Sequence, residues 1–415
     1  MSEEDINHVP NSTQWLSDVI RAFEVIRRGR FKAVTHNGVA HADDTIAAAL
    51  LYDAGAEAIY RLSDVEEVLA VDGDVVLFDI GDSFADRLPQ RFVVLDHHSS
   101  TAEPSSVVQV AMAVGASPNP QVQTLINFVD LFDRFGTSAK LSAGPFGNSL
   151  NKALSKYFGD ATPRGLVREE EFLSLVADAF YSDEVVDFAS LVVVYDVLLE
   201  KLELGDWVER FPRTFQFFHL MRKVPGNWDE LLFDDALRTG FGIDFTTYAL
   251  AVVPELEPYV LKGLEGMLEE AKKSAETAEK GRYTLIKGGA IAVAVEDNVS
   301  PSLLYNALLD LDALQEEDNS SDFDVHDLCE DEDWPCEGPY FYRREETPIF
   351  VVVRDLRTPG AYVLWRPDKF ASRINFRRLE GDRVVFKHAS GSLAVVKAES
   401  AEEAASTRYG LSGDR

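Results

Sequence analysis

The chain has 415 residues, 46% hydrophobic and 27% charged, and these proportions exclude a largely disordered chain and a collagen-like one. Its length predicts two or three domains. It carries 71 acidic against 40 basic side chains, a formal net charge of −31, which counts against general binding of duplex DNA. A local basic patch or bound cations can still make the electrostatic potential positive where a nucleic-acid substrate would bind.

The sequence shows no sign of membrane insertion or export. It contains no apolar run of the roughly 18 to 20 residues that a membrane-spanning helix needs. The N-terminus is acidic and polar, unlike a secretory signal, and two cysteines cannot form a disulfide framework. We therefore expect a cytoplasmic protein.

The first third of the chain alternates apolar strands with a helix. Strands are predicted at 31–38, 75–82 and 92–98, where apolar runs end in polar residues. Apolar residues at helical spacing predict a helix over 43–56. This order predicts an α/β domain with a parallel sheet, which we place at 1–150.

The middle of the chain, 151–282, is predicted to be a helical connector. Residues 169–180 carry an apolar stripe at helical spacing. Residues 254–282 predict one long amphipathic helix, with Pro254 near its start and Gly281 after its end.

Strands return in 283–415, which we interpret as a second, smaller α/β domain. Residues 310–340 carry 13 acidic side chains and no basic one, and this predicts an exposed insertion. Cys329 and Cys336 within it are interpreted as incidental, with a disulfide or half of a metal site as alternatives. Residues 343–397 carry 12 basic against 6 acidic side chains, and we place a basic face there.

Histidine and aspartate side chains gather at the ends of the predicted strands. In open α/β sheets this edge binds ligands, and imidazole with carboxylate is the ligand mix of Mn, Fe, Co or Zn sites. Asp79 follows an apolar run that would bury it unless a metal or hydrogen bonds compensate. The residues alone therefore predict a metal site, formed from His36, His41, Asp43, Asp44, Asp79, Asp82, Asp96, His97 and His98.

Several of these residues carry a resemblance to a known family. Asp96-His97-His98 resembles the signature of the DHH phosphoesterase superfamily. The melanocyte-proliferating-gene (Myg) exonuclease branch of that superfamily is similar in three further segments: Thr35-His36-Asn37-Gly38 with His41, Asp43 and Asp44; residues 127–136; and His388-Ala389-Ser390-Gly391. The resemblance covers roughly 30–150 and 350–410. It implies an N-terminal DHH domain that binds metals and a C-terminal domain that binds substrate.

The resemblance implies two divalent cations bridged by Asp79. The first would be held by His36, His41 and Asp79, and the second by Asp43, Asp79, His97 and Asp130. Asp133, one helical turn from Asp130, is the alternative ligand. His98 would contact the scissile phosphate, with Asp96 orienting the histidine pair. Since His41 stands where most of the superfamily has Asp, Mn²⁺ is favoured, with Co²⁺ or Mg²⁺ as alternatives.

The function implied by the resemblance is metal-dependent phosphodiester hydrolysis, as a 3′ to 5′ exonuclease on RNA or short single strands. Two cations can activate water and neutralise charge on the attacked phosphate. The small-residue loop and nearby basic side chains would hold the substrate, or form a plain β-turn with surface arginines: His388, Ser390, Gly391, Arg373, Arg377, Arg378 and Lys387.

Two other functions stay open on the sequence. One is hydrolysis of a small phosphate compound such as a dinucleotide or pyrophosphate. The other is a non-catalytic metal-binding adaptor, in which the acidic insertion contacts a basic partner. A homodimer is compatible with the sequence.

Overall fold

The computed structural model describes residues 14–98, 100, 102–135, 149–162, 165–218, 244–287, 290–314, 347–356, 358–388 and 391–406. The chain packs into two compact units, the first formed by Met1–Glu203 and Leu220–Met267 and the second by Leu204–His219 and Leu268–Arg415. The boundaries placed at 150 and 282 from the sequence stay predictions.

The first unit is built on a five-stranded sheet in the order β4-β3-β1-β2-β5. Its strands are β1 (Phe31–Thr35), β2 (Ala58–Arg61), β3 (Asp74–Phe78), β4 (Phe92–Leu95) and β5 (Gly165–Leu166). Strands β1 to β4 run parallel, and β5 pairs antiparallel with β2. Residues 75–78 are all fully buried, so both faces of β3 are covered, as a parallel sheet requires.

The α/β class with a parallel sheet is therefore confirmed. The strands predicted at 31–38, 75–82 and 92–98 are present, each shorter at its polar end. The sequence missed β2 and the helix after it, because both are short and mix polar with apolar residues.

The helices follow the order α1 (Gln14–Arg27), α2 (Ala42–Asp53), α3 (Val65–Ala70), α4 (Ser106–Val114), α5 (Pro120–Phe135), α6 (Ser149–Ala161), α7 (Glu170–Tyr181), α8 (Phe188–Lys201), α9 (Trp207–Arg210), α10 (Phe245–Val252), α11 (Glu257–Glu279), α12 (Pro301–Asp310) and α13 (Ala401–Ser406). None of these described helices combines the length and apolar character needed to cross a bilayer.

Helix α2 is the centre of the first unit. It is buried from Asp43 to Leu51, since α4, α6 and α7 all pack against it. A helix buried all round needs apolar residues on every face, and the run of alanines and leucines supplies them. The same packing removes Asp43 and Asp44, in its first turn, from water.

The second unit holds a six-stranded sheet in the order β10-β11-β9-β8-β7-β6. Its strands are β6 (Thr284–Lys287), β7 (Ile291–Val295), β8 (Ile349–Asp355), β9 (Ala361–Trp365), β10 (Val384–Lys387) and β11 (Leu393–Lys397). Neighbours pair antiparallel except β7 and β8, which are parallel. The predicted return of strands is thus confirmed.

Parts of two sequence predictions lie outside the described residues. In the acidic stretch 310–340, the structure describes only 310–314, so its exposure and the state of Cys329 and Cys336 stay predictions. Ser390 also falls outside the described residues.

Close packing of α11 on α6 gives a test of the first unit. A Cβ at Gly263 would lie 1.9 Å from the carbonyl oxygen of Ala153, whereas one at Gly266 would meet the flexible side chains of Lys156 at 3.2 Å and Asp160 at 3.3 Å. We expect Gly263→Ala to lower the free energy of unfolding by about 1 to 3 kcal/mol, because backbone must move. Gly266→Ala should leave it unchanged or raise it by up to about 1 kcal/mol, as alanine favours helix.

Urea denaturation of the two variants beside the wild type measures both effects. Equal stability of the two variants would contradict the close approach of these helices.

Candidate metal centre

The candidate site lies at the C-terminal edge of the parallel sheet, where the strand order changes direction. Strand β1 has β2 on one side and β3 on the other, so the chain connections leave β1 and β3 in opposite directions. Residues that follow β1 and β3 therefore lie on either side of this topological switch point, where ligands bind in open α/β sheets. His36 directly follows β1, Asp79 directly follows β3 and Asp96 directly follows β4. The strand ends therefore bring these three side chains to one edge.

The first group of candidate ligands is His36, His41 and Asp79, whose ligand atoms lie within 4.8 Å of one another. His36 Nε2 lies 3.0 Å from Asp79 Oδ2 and 3.5 Å from Asp44 Oδ2. His41 precedes α2, and its backbone N–H donates to Asp44 Oδ1 at 2.7 Å. Its side chain is 53% exposed, so this imidazole forms the open side of the group.

The second group is Asp43, Asp79, His97 and Asp133, also within 4.8 Å. Asp43 accepts backbone N–H groups at the start of α4, from Ser106 at 3.1 Å and Val107 at 2.9 Å. His97 Nε2 lies 2.7 Å from Asp133 Oδ2. Because Asp79 belongs to both groups, its carboxylate occupies the position that can bridge two cations.

The backbone of Asp79 adopts a left-handed conformation, with φ of 55°. Aspartate tolerates this region better than most residues, yet strained positions of this kind cost on the order of 1 to 3 kcal/mol. Its N–H donates to Leu95 O at 3.2 Å and to Ser106 Oγ at 2.9 Å. These two bonds hold the sharp turn that places the carboxylate in both groups.

The geometry reverses our first choice between Asp130 and Asp133. The carboxylate of Asp130 is occupied, since it accepts the N–H of Ser105 at 2.6 Å and pairs with Arg134 at 2.5 Å. Asp133 instead faces His97 and His41. Although burial raises the pKa of Asp133, the close approach of His41 and His97 holds it well below the ordinary value. We therefore take Asp133, and not Asp130, as the candidate ligand on α5.

Asp96 organises the turn that carries the two histidines. Its Oδ1 accepts the N–H of His97 at 2.8 Å and of His98 at 3.3 Å, and lies 2.6 Å from His98 Nδ1. Its Oδ2 accepts the N–H of Asp82 at 3.0 Å. With Nδ1 of His98 held by this carboxylate, Nε2 of the half-exposed ring is the nitrogen left to make a further contact.

The cluster contains buried polar atoms with no hydrogen bond to the described residues. Asp44 Oδ2, Asp79 Oδ1 and His97 Nδ1 make no hydrogen bond within the described part of the chain. Burial, reinforced by the charge of Asp133, raises the pKa of Asp79 well above its ordinary value, and burial likewise raises the pKa of Asp43. Carboxylates this close in a dry site cannot all stay ionised alone, so the cluster requires protons or cations. Its donor set of carboxylate and imidazole fits divalent transition metals.

One contact has to change if His36 binds a cation through Nε2. The N–H of Gly38 donates to Nδ1 at 3.0 Å, which places the ring proton on Nε2, toward Asp79. A cation on Nε2 requires that proton on Nδ1 instead, so the amide of Gly38 must turn away. Glycine has no side chain to oppose this rotation.

The substrate residues expected from the sequence lie in the second unit, around β10. His388 is exposed, and its carbonyl accepts the N–H of Gly391 at 2.9 Å, where φ is 70°. Lys387 Nζ donates to the carbonyls of Arg377 and Leu379, both at 3.1 Å. This ammonium therefore joins the turn Phe376–Arg378 to the strand as well as carrying charge.

The arginines of this region differ in exposure. Arg377 and Arg378 are exposed, and neither forms an ion pair with any residue that the structure describes. Arg373 is half-buried. Arg377 and Arg378 are thus the side chains of this set most accessible to an anion.

Sequence reasoning missed two supporting features of the site. The N-terminus of α4 binds Asp43, and a Pro-Ser-Ser sequence before an apolar run at 104–106 is a signal that could have located it. The buried side chain of Arg61 contacts the turn that carries His36, and no signal identified it because β2 itself was missed.

Comparisons with known proteins give only distant similarity. No family model matches the sequence, and no curated protein matches it. RecJ from Thermus thermophilus, determined in complex with Mg²⁺, is similar at 14% identity with a TM-score of 0.34, over 94% of this chain and 50% of that one. CDC45 from Entamoeba histolytica is similar at 10% identity with a TM-score of 0.30, over 93% of this chain and 95% of that one. The chain spans about half the length of that RecJ chain, and at these scores the function has to be inferred from the site's own residues.

Proposed function

We propose that this chain is a metal-dependent phosphodiesterase of the DHH type, in its Myg-like branch, that acts as an exonuclease on RNA or short single-stranded oligonucleotides. The observation that carries the proposal is the buried carboxylate of Asp79, which belongs to the two groups described above and to a third formed with Asp96, His97 and His98. Its Oδ1 has no hydrogen-bond partner in the described part of the chain. A structural carboxylate at this depth would be fully hydrogen-bonded, so a bridging role between cations accounts for it better.

The two groups assign the residues that would hold the cations. His36, His41 and Asp79 would hold the first, and Asp43, Asp79, His97 and Asp133 the second. Two bound divalent cations would lower the pKa of a nucleophilic water and neutralise charge on the phosphate. Ser106 and the start of α4 hold the two ligands Asp79 and Asp43, and these contacts would keep both carboxylates in place during turnover.

His98 is the group of the chain best placed to contact the reacting phosphate. Although burial lowers the pKa of His98, its hydrogen bond to Asp96 raises it overall, so the ring is protonated more readily than a free histidine. Nε2 can then donate to a phosphate oxygen as negative charge develops there. Asp96 acts as a positioning residue through His98 and the backbone of the turn.

The net charge favours a second candidate, hydrolysis of a small phosphate compound such as a dinucleotide or pyrophosphate. A chain with a net charge of −31 repels a long polyanion more than a short one. The exposed Arg377 and Arg378 favour the oligonucleotide, because guanidinium groups bind successive phosphates. A non-catalytic adaptor is disfavoured, since such a protein does not need a carboxylate that is shared by several ligand groups and has one oxygen without a hydrogen bond in the described part of the chain.

Metal replacement tests the proposed activity. After chelation, we expect Mn²⁺ to restore hydrolysis of labelled RNA, single-stranded DNA or a dinucleotide better than Mg²⁺ at the same concentration, because two imidazoles in the first group favour a transition metal.

The shared carboxylate gives a second test. Asp79→Asn should abolish turnover and reduce bound Mn²⁺ while keeping the fold, since asparagine also tolerates the left-handed backbone. Wild-type rates in a folded Asp79→Asn protein would refute the two-cation model.

The two carboxylates on α5 allow a matched test of the ligand set. Asp133→Asn should lower Mn²⁺ content and turnover strongly, because it removes the charge that faces His97 and His41. Asp130→Asn should retain Mn²⁺, because its amide oxygen can still accept the N–H of Ser105. Elemental analysis of both dialysed proteins gives the comparison, and the reverse ranking would return Asp130 to the site.

The basic side chains of the second unit give a test of substrate length. Arg377→Ala combined with Arg378→Ala should raise the KM for an oligonucleotide several-fold, and that for a dinucleotide less, because these groups bind phosphates away from the reacting bond. Arg383→Ala is the control, since this exposed arginine is paired with Glu403. Equal changes for both substrates would favour the small-compound hydrolase.

A further inference from the structure

Arg61 is a buried cation whose hydrogen bonds go to the backbone beside the metal centre. It is the last residue of β2 and is only 2% exposed. Its Nε donates to His36 O at 3.3 Å and its Nη2 to Gly38 O at 2.7 Å. Its Nη1 donates to Gly159 O at 3.0 Å and to Thr162 Oγ1 at 3.1 Å. The guanidinium therefore joins the turn at 36–38 to the end of α6.

The charge of Arg61 is not used in an ion pair within the described residues. A buried, unpaired charge is costly unless its donors are satisfied. Here three carbonyl oxygens and the hydroxyl of Thr162 accept from the guanidinium. One of these carbonyls lies in the last turn of α6, where the helix dipole favours a cation. The guanidinium also lies 5.2 Å from the ring centre of Phe158. Four hydrogen bonds from one planar guanidinium indicate that the side chain fixes backbone geometry.

The backbone that Arg61 holds carries both histidines of the first ligand group. It grips the carbonyls of residues 36 and 38, on either side of the amide of Gly38 that must turn when a cation binds His36. Helix α6 also presses on this segment, since a Cβ at Gly159 would lie 3.3 Å from that of Ala40. The segment between β1 and α2 is thus fixed at the carbonyls of residues 36 and 38.

We propose that Arg61 is a positioning residue of the metal centre, which fixes the carbonyls of residues 36 and 38 on either side of the Gly38 amide, so that His36 is presented to the first cation when that amide turns. The inference rests on the proposed function, because it requires that His36, His41 and Asp79 bind a cation. It extends the site to a strand that contributes no ligand.

Arg61→Lys is the direct test, because lysine keeps the charge and loses the planar fork. We expect weaker Mn²⁺ binding at the first group, by roughly 10- to 100-fold, as is typical when a residue that orients a ligand is changed. Calorimetric titration of the metal-free protein should then show the loss of one of two Mn²⁺ events. Electron paramagnetic resonance at limiting Mn²⁺ should show isolated ions where the wild type shows coupled pairs.

Arg91→Lys is a matched control. Arg91 donates to the carbonyls of Leu69, Val71 and Gly73, and its guanidinium lies 4.1 Å from the ring centre of Phe92. It precedes β4, at the opposite edge of the same sheet. Replacing the planar guanidinium of Arg91 should therefore lower the free energy of unfolding about as much as Arg61→Lys does. It should leave both Mn²⁺ binding events unchanged.

The outcomes separate this inference from the proposed function. Two wild-type Mn²⁺ events in Arg61→Lys, with stability lowered as in Arg91→Lys, would make Arg61 purely structural and overturn the inference alone. A wild-type protein that binds no Mn²⁺ would overturn the proposed function and this inference with it. If Arg61→Lys does not fold, Thr162→Val, which removes one acceptor of Nη1, should weaken the first event several-fold. An unchanged titration in that variant would equally reject the role.

Discussion

Repulsion between buried carboxylates is the constraint around which the first unit is arranged. Asp43, Asp79 and Asp133 place ligand atoms within 4.8 Å in a site that excludes most water. The chain offsets part of this repulsion with the positive end of α4, whose first N–H groups bind Asp43. The histidines beside Asp133 offset another part. What remains is a deficit of positive charge, and two divalent cations would fill it with the donor types that transition metals favour.

Under the proposed function, the same deficit would explain how a strongly acidic chain could act on an anionic substrate. Charges further than about one Debye length, roughly 8 Å in physiological salt, are largely screened from a bound phosphate. Within that distance the electrostatic field would be set by the two proposed cations and by nearby side chains such as His98. The net charge of −31 then affects the rate of encounter more than the chemistry.

The sequence predicted those parts of the site that follow long apolar strands. Strands β3 and β4 each contain four consecutive apolar residues, and β1 is apolar apart from Lys32 and Thr35, so the side chains that follow them could be assigned to one edge. Strand β2, with the sequence Ala-Ile-Tyr-Arg, has only two consecutive aliphatic residues before Tyr60 and Arg61, so the sequence identified neither the strand nor Arg61. The choice between Asp130 and Asp133 could not be made either, because it is decided by tertiary contacts of Asp130 with Ser105 and Arg134.

The two ligand groups depend on different parts of the fold and are coupled at one serine. The first group is carried by the segment between β1 and α2, which Arg61 fixes, and the second by helices α2 and α5 and by the turn after β4. Ser106 donates its N–H to Asp43, and its hydroxyl accepts the N–H of Asp79 while donating to Leu95 O. One residue thus holds a ligand of the second group and the strained backbone of the shared ligand. Any shift of α4 would move both together, which keeps the spacing of the two groups constant even where the packing around them varies.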